Sequence, residues 1–193
     1  MSRAESLKIG YGAFSLGYAL IWVTKEGKLF DKNGLDTEVL YLESNLVRPA
    51  LISGDIPVGA MSGAAMATPK LQGADLVVVL GFQNHLPFRF VVCPEIKSVV
   101  DLKSKRPLAN GSIDATVLNP PIHKRATEAG MRVMANMAEM GIPFQNFALV
   151  TTQRSIARNP NAMRRMARAF VEGIYRIPSI RKRPNALLPN TCA

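Results

Sequence analysis

Segment 54–67, GDIPVGAMSGAAMA, joins a short apolar run to a run of very small residues. Residues 56–61 are typical of a buried strand, and Ser62, Gly63 and Ala64 are typical of the first turn of a following helix. The first N–H groups of a helix have no intrahelical acceptor and lie at the positive end of the helix dipole, so an anionic ligand can approach them. Tight packing of a helix against a sheet explains the same small residues equally well, and both interpretations stay open.

Residues that catalyse reactions or bind metals are not grouped at the spacings such chemistry needs. Cys93 and Cys192 lack the paired spacing of a metal or redox motif. The sequence shows neither paired carboxylates nor a Ser-His-Asp order, so we expect no catalytic residue, no metal and no cofactor. Gly10 and Gly12 begin a dinucleotide-binding pattern, but Ser15 occupies the place of its third glycine. The sequence therefore indicates a binding protein rather than an enzyme.

The formal net charge is +10, and all of the excess lies after residue 96. Much of it falls in segment 159–176, where Met163, Met166 and Phe170 lie on one helical stripe and the arginines lie away from it. Aromatic residues make up 7% of the chain and do not alternate with the basic ones. This layout predicts the solvated face of an amphipathic helix, so we expect no nucleic-acid partner.

The length and hydropathy of the chain limit the fold it can form. With 193 residues, 48% of them hydrophobic, the chain can bury one substantial core. The longest apolar run, 76–82, is too short to span a bilayer and is typical of a buried strand. The first ten residues carry no pattern of a secretory signal, so we expect a cytoplasmic protein if the chain is complete as given.

Strand and helix patterns alternate along the first 82 residues. Strands are predicted over 6–12, 37–42, 56–61 and 75–82, and helices over 15–26, 47–52 and 64–71. This series predicts an α/β fold with a largely parallel sheet. Further strands are predicted over 87–94, 111–118, 131–137 and 144–152, and helices over 120–130, from Ser98, and from Pro160 with Asn159 as its cap. The segment after Ile177 is predicted to be irregular.

Six segments, taken in order over about residues 7–177, resemble the solute-binding proteins of ABC importers for nitrate, sulfonates and taurine. They are GYALIWVTKEGKLFDKNGLDTEVLYL, LISGDIPVGAMSGAA, LQGADLVVVLGFQNHLPFRFVV, IKSVVDLKSK, GSIDATVLNPP and GIPFQNFALVTT. The resemblance implies a type 2 periplasmic-binding-protein fold, with two α/β lobes joined by crossing strands and a small anionic or polar ligand in the cleft between them. It also implies a membrane permease of an ABC transporter as partner, and the periplasm as location.

The chain departs from this family where the second lobe should be built. In the family several tens of residues separate DLKSKR from GSIDA, whereas here only the four residues PLAN stand between Arg106 and Gly111. We therefore expect a main lobe of residues 1–93 and 141–177, a second-lobe remnant over 94–140 and an irregular tail over 178–193. Two alternatives stay open, namely an enzyme like those of thiamine-pyrimidine synthesis, which share a related fold, and an internally deleted copy without function.

The resemblance also implies which residues contact the ligand. The first contacts come from the loop and helix start after the first strand, and the second from the small residues after the third strand. The remaining contacts follow the strand that ends at Phe82 and the strand that ends at Leu118. The predicted contacts are Phe14, Ser15, Tyr18, Ser62, Gly63, Ala64, Asn84, His85 and Asn119. A helix cap and two core aromatics are the alternative for the first three.

Overall fold

The computed structural model describes residues 5–104 and 114–181 of the chain. Within these ranges the strands are β1 (Glu5–Tyr11), β2 (Leu35–Tyr41), β3 (Val58–Met61), β4 (Leu76–His85), β5 (Arg89–Val92), β6 (Ala115–Leu118), β7 (Arg132–Asn136) and β8 (Pro143–Thr152). The α-helices are α1 (Ala19–Glu26), α2 (Leu29–Lys32), α3 (Ser44–Ser53), α4 (Ala67–Leu71), α5 (Ile122–Glu128), α6 (Gln153–Arg158) and α7 (Pro160–Arg181). Short 3₁₀ helices span Leu16–Tyr18, Gly63–Met66 and Val99–Ser104. None of the helices in these ranges has both the length and the apolarity needed to cross a membrane.

Five strands form one sheet in the order β2-β1-β3-β8-β4. β1 is parallel to both β2 and β3, whereas β8 is antiparallel to β3. In this register Tyr11 lies opposite Tyr41 on one side and opposite Ala60 on the other. The carboxyl ends of β1, β2 and β3 therefore lie at the same edge of the sheet. The predicted α/β fold with a largely parallel sheet is confirmed.

Helix α7 covers the helices that follow β1. It packs against α1 and α2, and the rings of Phe170 and Phe30 meet edge to face with their centroids 5.3 Å apart. At its surface Glu172 pairs with Lys32, with Nζ and Oε2 2.8 Å apart. Asn159 begins the helix as predicted, because its Oδ1 accepts a hydrogen bond from the N–H of Ala162 at 3.0 Å. Helices α1, α2 and α7 thus share one hydrophobic core.

A second sheet contains three antiparallel strands in the order β6-β5-β7. Val91 and Val92 of the central strand are fully buried. The guanidinium group of Arg132 donates hydrogen bonds to the carbonyl oxygens of Ile96 and Lys97 at 2.7–2.9 Å. These bonds tie the segment after β5 to the start of β7.

The described residues divide into two compact units, one before Asn84 and after Gln145, and one between these positions. This division puts β5 in the second unit, whereas the expected boundary after residue 93 puts it in the main lobe. The expected lobes, and the deletion that they imply, stay a prediction. The join at Arg106 and Pro107 lies outside the described residues.

Several element boundaries differ from those predicted. β4 continues to His85, beyond the end of the apolar run, because backbone pairing does not require apolar side chains. Helix α6 was not predicted, because its six residues are too few to show a helical apolar period. Its local cap is Thr152, whose hydroxyl accepts a hydrogen bond from the N–H of Ser155 at 3.0 Å. The Asp75 carboxylate accepts hydrogen bonds from the N–H groups of Gln153 and Arg154 at 3.2 and 3.1 Å. Helix α7 runs to Arg181, so the first four residues of the expected irregular tail are helical, and the remainder of that tail lies outside the described residues.

Candidate functional site

The loop after β1 is held in place by the start of helix α3. The Ser44 hydroxyl donates a hydrogen bond of 2.6 Å to the carbonyl oxygen of Gly12. A Cβ at Gly12 would lie 2.9 Å from the Ser44 Cα, so only glycine fits here. One step earlier, the N–H of Leu42 donates to the Tyr11 carbonyl at 3.0 Å. The loop that carries Phe14 and Ser15 is thus anchored to the adjoining connection.

The other end of the loop is fixed by close packing on β8. A Cβ at Gly17 would lie only 1.9 Å from the ring of Phe147, so the 3₁₀ turn lies directly on that ring. Ser15 precedes this turn in an extended conformation, and its side chain does not cap the turn. Ser15 is exposed at the edge of the sheet. The alternative interpretation of Ser15, that its side chain caps the helix start, is therefore not supported.

Five aromatic rings meet at the carboxyl ends of β1 and β2. Tyr11, which is 2% exposed, contacts the rings of Phe14, Tyr18, Trp22 and Tyr41 at centroid distances of 5.7–5.8 Å. Phe14 is 78% exposed and stacks on Tyr41 with centroids 4.8 Å apart and an interplanar angle of 21°. Tyr41 is itself half exposed. An aromatic pair thus lies open to solvent on top of a buried tyrosine.

Tyr18 and Tyr11 both belong to the core rather than to an open surface. The Tyr18 ring is 7% exposed and meets Phe147 edge to face with centroids 4.8 Å apart. Burial raises the pKa of the Tyr18 phenol, although a hydrogen bond with the Gly12 backbone acts in the opposite direction. Burial, and then the nearby Tyr41, raise the pKa of Tyr11. Tyr18 thus fits the core alternative, whereas Phe14 does not.

The small residues after β3 fall into two groups with different causes. Gly59 lies under α3, because a Cβ there would come within 2.8 Å of both Leu51 and Val47. Ser62 and Gly63 are half-buried and Ala64 is exposed, so these three residues are accessible. Packing against α3 thus requires a glycine at position 59. The small residues 62–64 are not required by such packing and leave their backbone accessible to a ligand.

The helix start at Ser62 is weaker than the one predicted. A four-residue 3₁₀ helix, Gly63–Met66, and the five-residue α4 stand where a single helix was expected. Pro69 lies within α4, and a proline shortens a helix because it lacks a backbone N–H. Because so short a helix has only a small dipole, any ligand here would be held by individual backbone N–H groups and the Ser62 hydroxyl.

The remaining predicted contacts belong to the second unit. Asn84 and His85 are the exposed last residues of β4 rather than part of a loop after it. Asn119 is half-buried after β6, and its carbonyl oxygen accepts a hydrogen bond from the N–H of His123 at 3.3 Å. The structure therefore brings Phe14, Ser15 and the residues 62–64 to one edge of the first unit. The contact roles of all nine residues stay predictions.

A cavity of about 290 Å³ lies elsewhere in the first unit. Its lining includes Ser6, Pro57, Thr152, Arg154 and Arg158, and it lies near the amino ends of β1 and β3. None of the nine predicted contacts lines it. Parallel sheets bind their ligands outside the carboxyl ends of the strands, so we favour the carboxyl edge as the ligand site.

Packing also explains the glycines of the dinucleotide-like pattern. A Cβ at Gly10 would lie 2.6 Å from Ile56 Cδ1, and both Gly10 and Gly12 are buried. No three His, Cys, Asp or Glu side chains within the described ranges are grouped so that they could hold a metal ion. Close packing therefore accounts for Gly10 and Gly12 without a bound dinucleotide.

Sequence reasoning missed Tyr41 and Trp22 as members of the aromatic cluster. The available signal was the register of two parallel strands, which places the last residue of each strand at the same edge. Tyr11 and Tyr41 both end such strands, but the register itself is set by packing and cannot be derived from either segment alone.

No protein-family model and no curated protein sequence matches the chain. Solved structures do match it. The periplasmic aliphatic sulphonate binding protein SsuA from Escherichia coli superposes with a TM-score of 0.72 at 19% identity, covering 95% of this chain and 77% of that one. The alkanesulfonate-binding protein SsuA from Xanthomonas axonopodis pv. citri, bound to MOPS, gives a TM-score of 0.73 at 17% identity over 94% and 77% of the two chains. The chain has the periplasmic-binding-protein fold.

A third example of this fold is the periplasmic nitrate-binding protein NrtA from Synechocystis PCC 6803, with a TM-score of 0.68 at 15% identity. The match covers 88% of this chain but 61% of NrtA. The periplasmic-binding-protein fold predicted from the sequence is therefore confirmed, and the sulfonate-binding proteins are matched over a larger share of their length than NrtA.

Proposed function

We propose that this chain is the solute-binding component of an ABC importer. It binds a small anionic or polar solute of the nitrate, sulfonate or taurine kind, catalyses no reaction and passes the solute to a membrane permease from the periplasmic side. The observation that carries this proposal is the fold, which SsuA from two bacteria shares over 94–95% of this chain. Both of those proteins are named for binding sulfonates.

The geometry of the first unit supports the same proposal. Ser15 and Ser62 follow neighbouring parallel strands, and neither side chain caps the helix after it. Their hydroxyl groups are therefore available to donate hydrogen bonds to an oxyanion at the carboxyl edge of the sheet. Gly63 and Ala64 add little side-chain bulk, so a ligand can reach the backbone there. Asn84, His85 and Asn119 stay proposed contacts from the second unit.

Isothermal titration calorimetry with nitrate, taurine, methanesulfonate and acetate tests the proposal. We expect saturable binding of at least one of these solutes. Ser62→Trp places an indole ring on the carboxyl edge and should weaken that binding at least tenfold. Leu71→Trp is the matched control, because Leu71 is 89% exposed and lies at the far end of α4, roughly 15 Å further along the helices.

The two variants separate the function from its location. If Ser62→Trp and Leu71→Trp bind the solute as well as the original chain does, the ligand site is not at the carboxyl edge of β3. If the original chain binds none of the four solutes at millimolar concentration, small solutes of the nitrate, methanesulfonate or taurine kind are not its ligands.

A further inference from the structure

The stacked pair of Phe14 and Tyr41 is the most exposed aromatic surface at the carboxyl edge of the sheet. One face of the Phe14 ring covers Tyr41, and Tyr11 meets the Phe14 ring almost at a right angle, at 87°. With 78% of Phe14 exposed, its second face is open to solvent. Phe14 and the half-exposed Tyr41 together form a contiguous exposed aromatic patch, and such patches mark places where another molecule binds.

The exposure of Phe14 does not result from a loosely held loop. The backbone on its amino side is bonded to Ser44 and Leu42, and Gly17 on its carboxyl side is pressed against Phe147. The Tyr18 N–H also donates to the Ser15 carbonyl at 3.0 Å. The ring is thus presented on a fixed backbone, which lowers the entropy cost of stacking a ligand on it.

We infer that Phe14 is a stacking platform for a planar aromatic ring of the solute, and that Tyr41 positions Phe14 from below. The inference rests on the function proposed above and narrows its solutes to anions that carry an aryl or heteroaryl group. The ring covers the open face of Phe14 while the anionic group reaches the Ser15 hydroxyl, one residue further along. Tyr41 does not touch the solute in this arrangement.

A matched pair of sulfonates tests the inference. Benzenesulfonate and cyclohexanesulfonate carry the same anionic group on rings of similar size, but only the first ring is planar and aromatic. We expect calorimetry to show that the chain binds benzenesulfonate roughly two- to tenfold more tightly, as a single aromatic stack contributes in folded proteins. A preference of this size is large enough to measure reliably.

Four variants assign the preference to its residues. Phe14→Leu keeps an apolar side chain but removes the flat face, so it should bring the ratio of the two affinities close to one. Tyr41→Ala should do the same, whereas Tyr41→Phe keeps the supporting ring and should keep the ratio. Tyr175→Leu removes an aromatic ring that is 81% exposed on α7 and should leave the ratio unchanged.

The outcomes distinguish this inference from the function on which it rests. Equal affinities for the two sulfonates, or a preference that persists in Phe14→Leu, overturn the platform and leave the importer role intact. Binding of neither sulfonate overturns the platform, and it overturns the importer role only if nitrate, taurine, methanesulfonate and acetate also fail to bind. A preference abolished by Phe14→Leu and retained by Tyr41→Phe supports the assignment of both residues.

Discussion

Gly17 and Phe147 set the position of the candidate site at the scale of single residues. The Phe147 ring is itself confined, since Tyr18 meets it edge to face and Phe82 lies parallel to it at a centroid distance of 6.4 Å. It cannot move away from a new methyl group without losing contacts with one of these neighbours. The absence of a side chain at position 17 is therefore a requirement of packing.

Gly17→Ala should destabilise the protein by about 1–3 kcal/mol, the usual cost of forcing extra atoms into a packed core. This cost exceeds the gain of at most about 1 kcal/mol that alanine brings to a helical position. Urea unfolding measures the change. The same substitution in a Phe147→Leu background should cost clearly less, and an equal cost in both backgrounds would show that the Phe147 ring is not the cause.

The sequence predicts only in part which residues of the candidate site are exposed and which are buried. The accessibility of Ser62, Gly63 and Ala64 follows from their small size and from their place after a strand. The different environments of Phe14 and Tyr18 could not be predicted, because both are aromatic residues near a helix start. Only the position of Phe147, which lies more than a hundred residues away in sequence, decides which ring is buried.

At the scale of elements, the starts of helices depend on single polar side chains. Asn159 caps α7, the helix that covers both α1 and α2. Asn159→Ala should lower the free energy of unfolding by about 0.5–2 kcal/mol, because the N–H of Ala162 loses its acceptor. Asn161→Ala is the control, since this exposed residue lies inside the helix, where alanine is the better helix former. Equal losses in the two variants would contradict the cap.

The 3₁₀ helix Val99–Ser104 has a comparable cap that titrates. A helix was predicted to start at Ser98, and the Asp101 carboxylate accepts hydrogen bonds from the N–H groups of Ser98 and Lys97 at 2.7 and 2.9 Å. These bonds, the one from Ser98 first, and then the nearby Arg132, lower the pKa of Asp101 from its ordinary value of 3.8. The bonds therefore stabilise the fold only while the carboxyl group is ionised.

The pH dependence follows from the sign of this shift. A lowered pKa contributes stability that is present above pH 3.8 and is lost as the pH falls through the lower pKa of the folded state. Asp101→Asn should therefore be less stable than the original chain at pH 7, and the difference should shrink as the pH falls through the lowered pKa of the folded state. Carboxyl NMR titration locates the Asp101 pKa directly, and a value at or above 3.8 would contradict the cap.

At the scale of the whole molecule, the second sheet leaves apolar side chains uncovered. Val117 of β6 is 46% exposed opposite the half-buried Phe90, and Val133 of β7 is 39% exposed opposite the fully buried Val91. The proposed loss of second-lobe elements would leave such a surface. An exposed apolar strand promotes association with a second copy.

We expect the isolated chain to self-associate with rising concentration in sedimentation velocity experiments. Val117→Thr combined with Val133→Thr should shift the distribution toward monomer, because the substitutions keep the β-branched shape and remove apolar surface. Val171→Thr, on the exposed face of α7, is the matched control and should have no effect. A clean monomer with a sharp, solute-shifted thermal transition would contradict the proposed loss and indicate an ordinary receptor.

The overall architecture was largely predictable because alternating apolar runs and helical periodicity determine an α/β series. The division into a five-stranded and a three-stranded sheet was not, since it depends on which strands pair over long separations. β8 illustrates the point, because its sequence is typical of a buried strand and contains nothing that specifies pairing with β3.

The strand order has a consequence for the synthesis of the protein. β3 and β4 are consecutive along the first unit, yet β8 lies between them in the sheet. A ribosome synthesises the chain from its amino end. One edge of β3 therefore has no partner strand until β8 has been synthesised, and α1 and α2 are not covered until α7 has been synthesised. The sheet of the first unit is therefore completed only after residue 152 has been synthesised, and until then one edge of β3 is open to pairing with another chain.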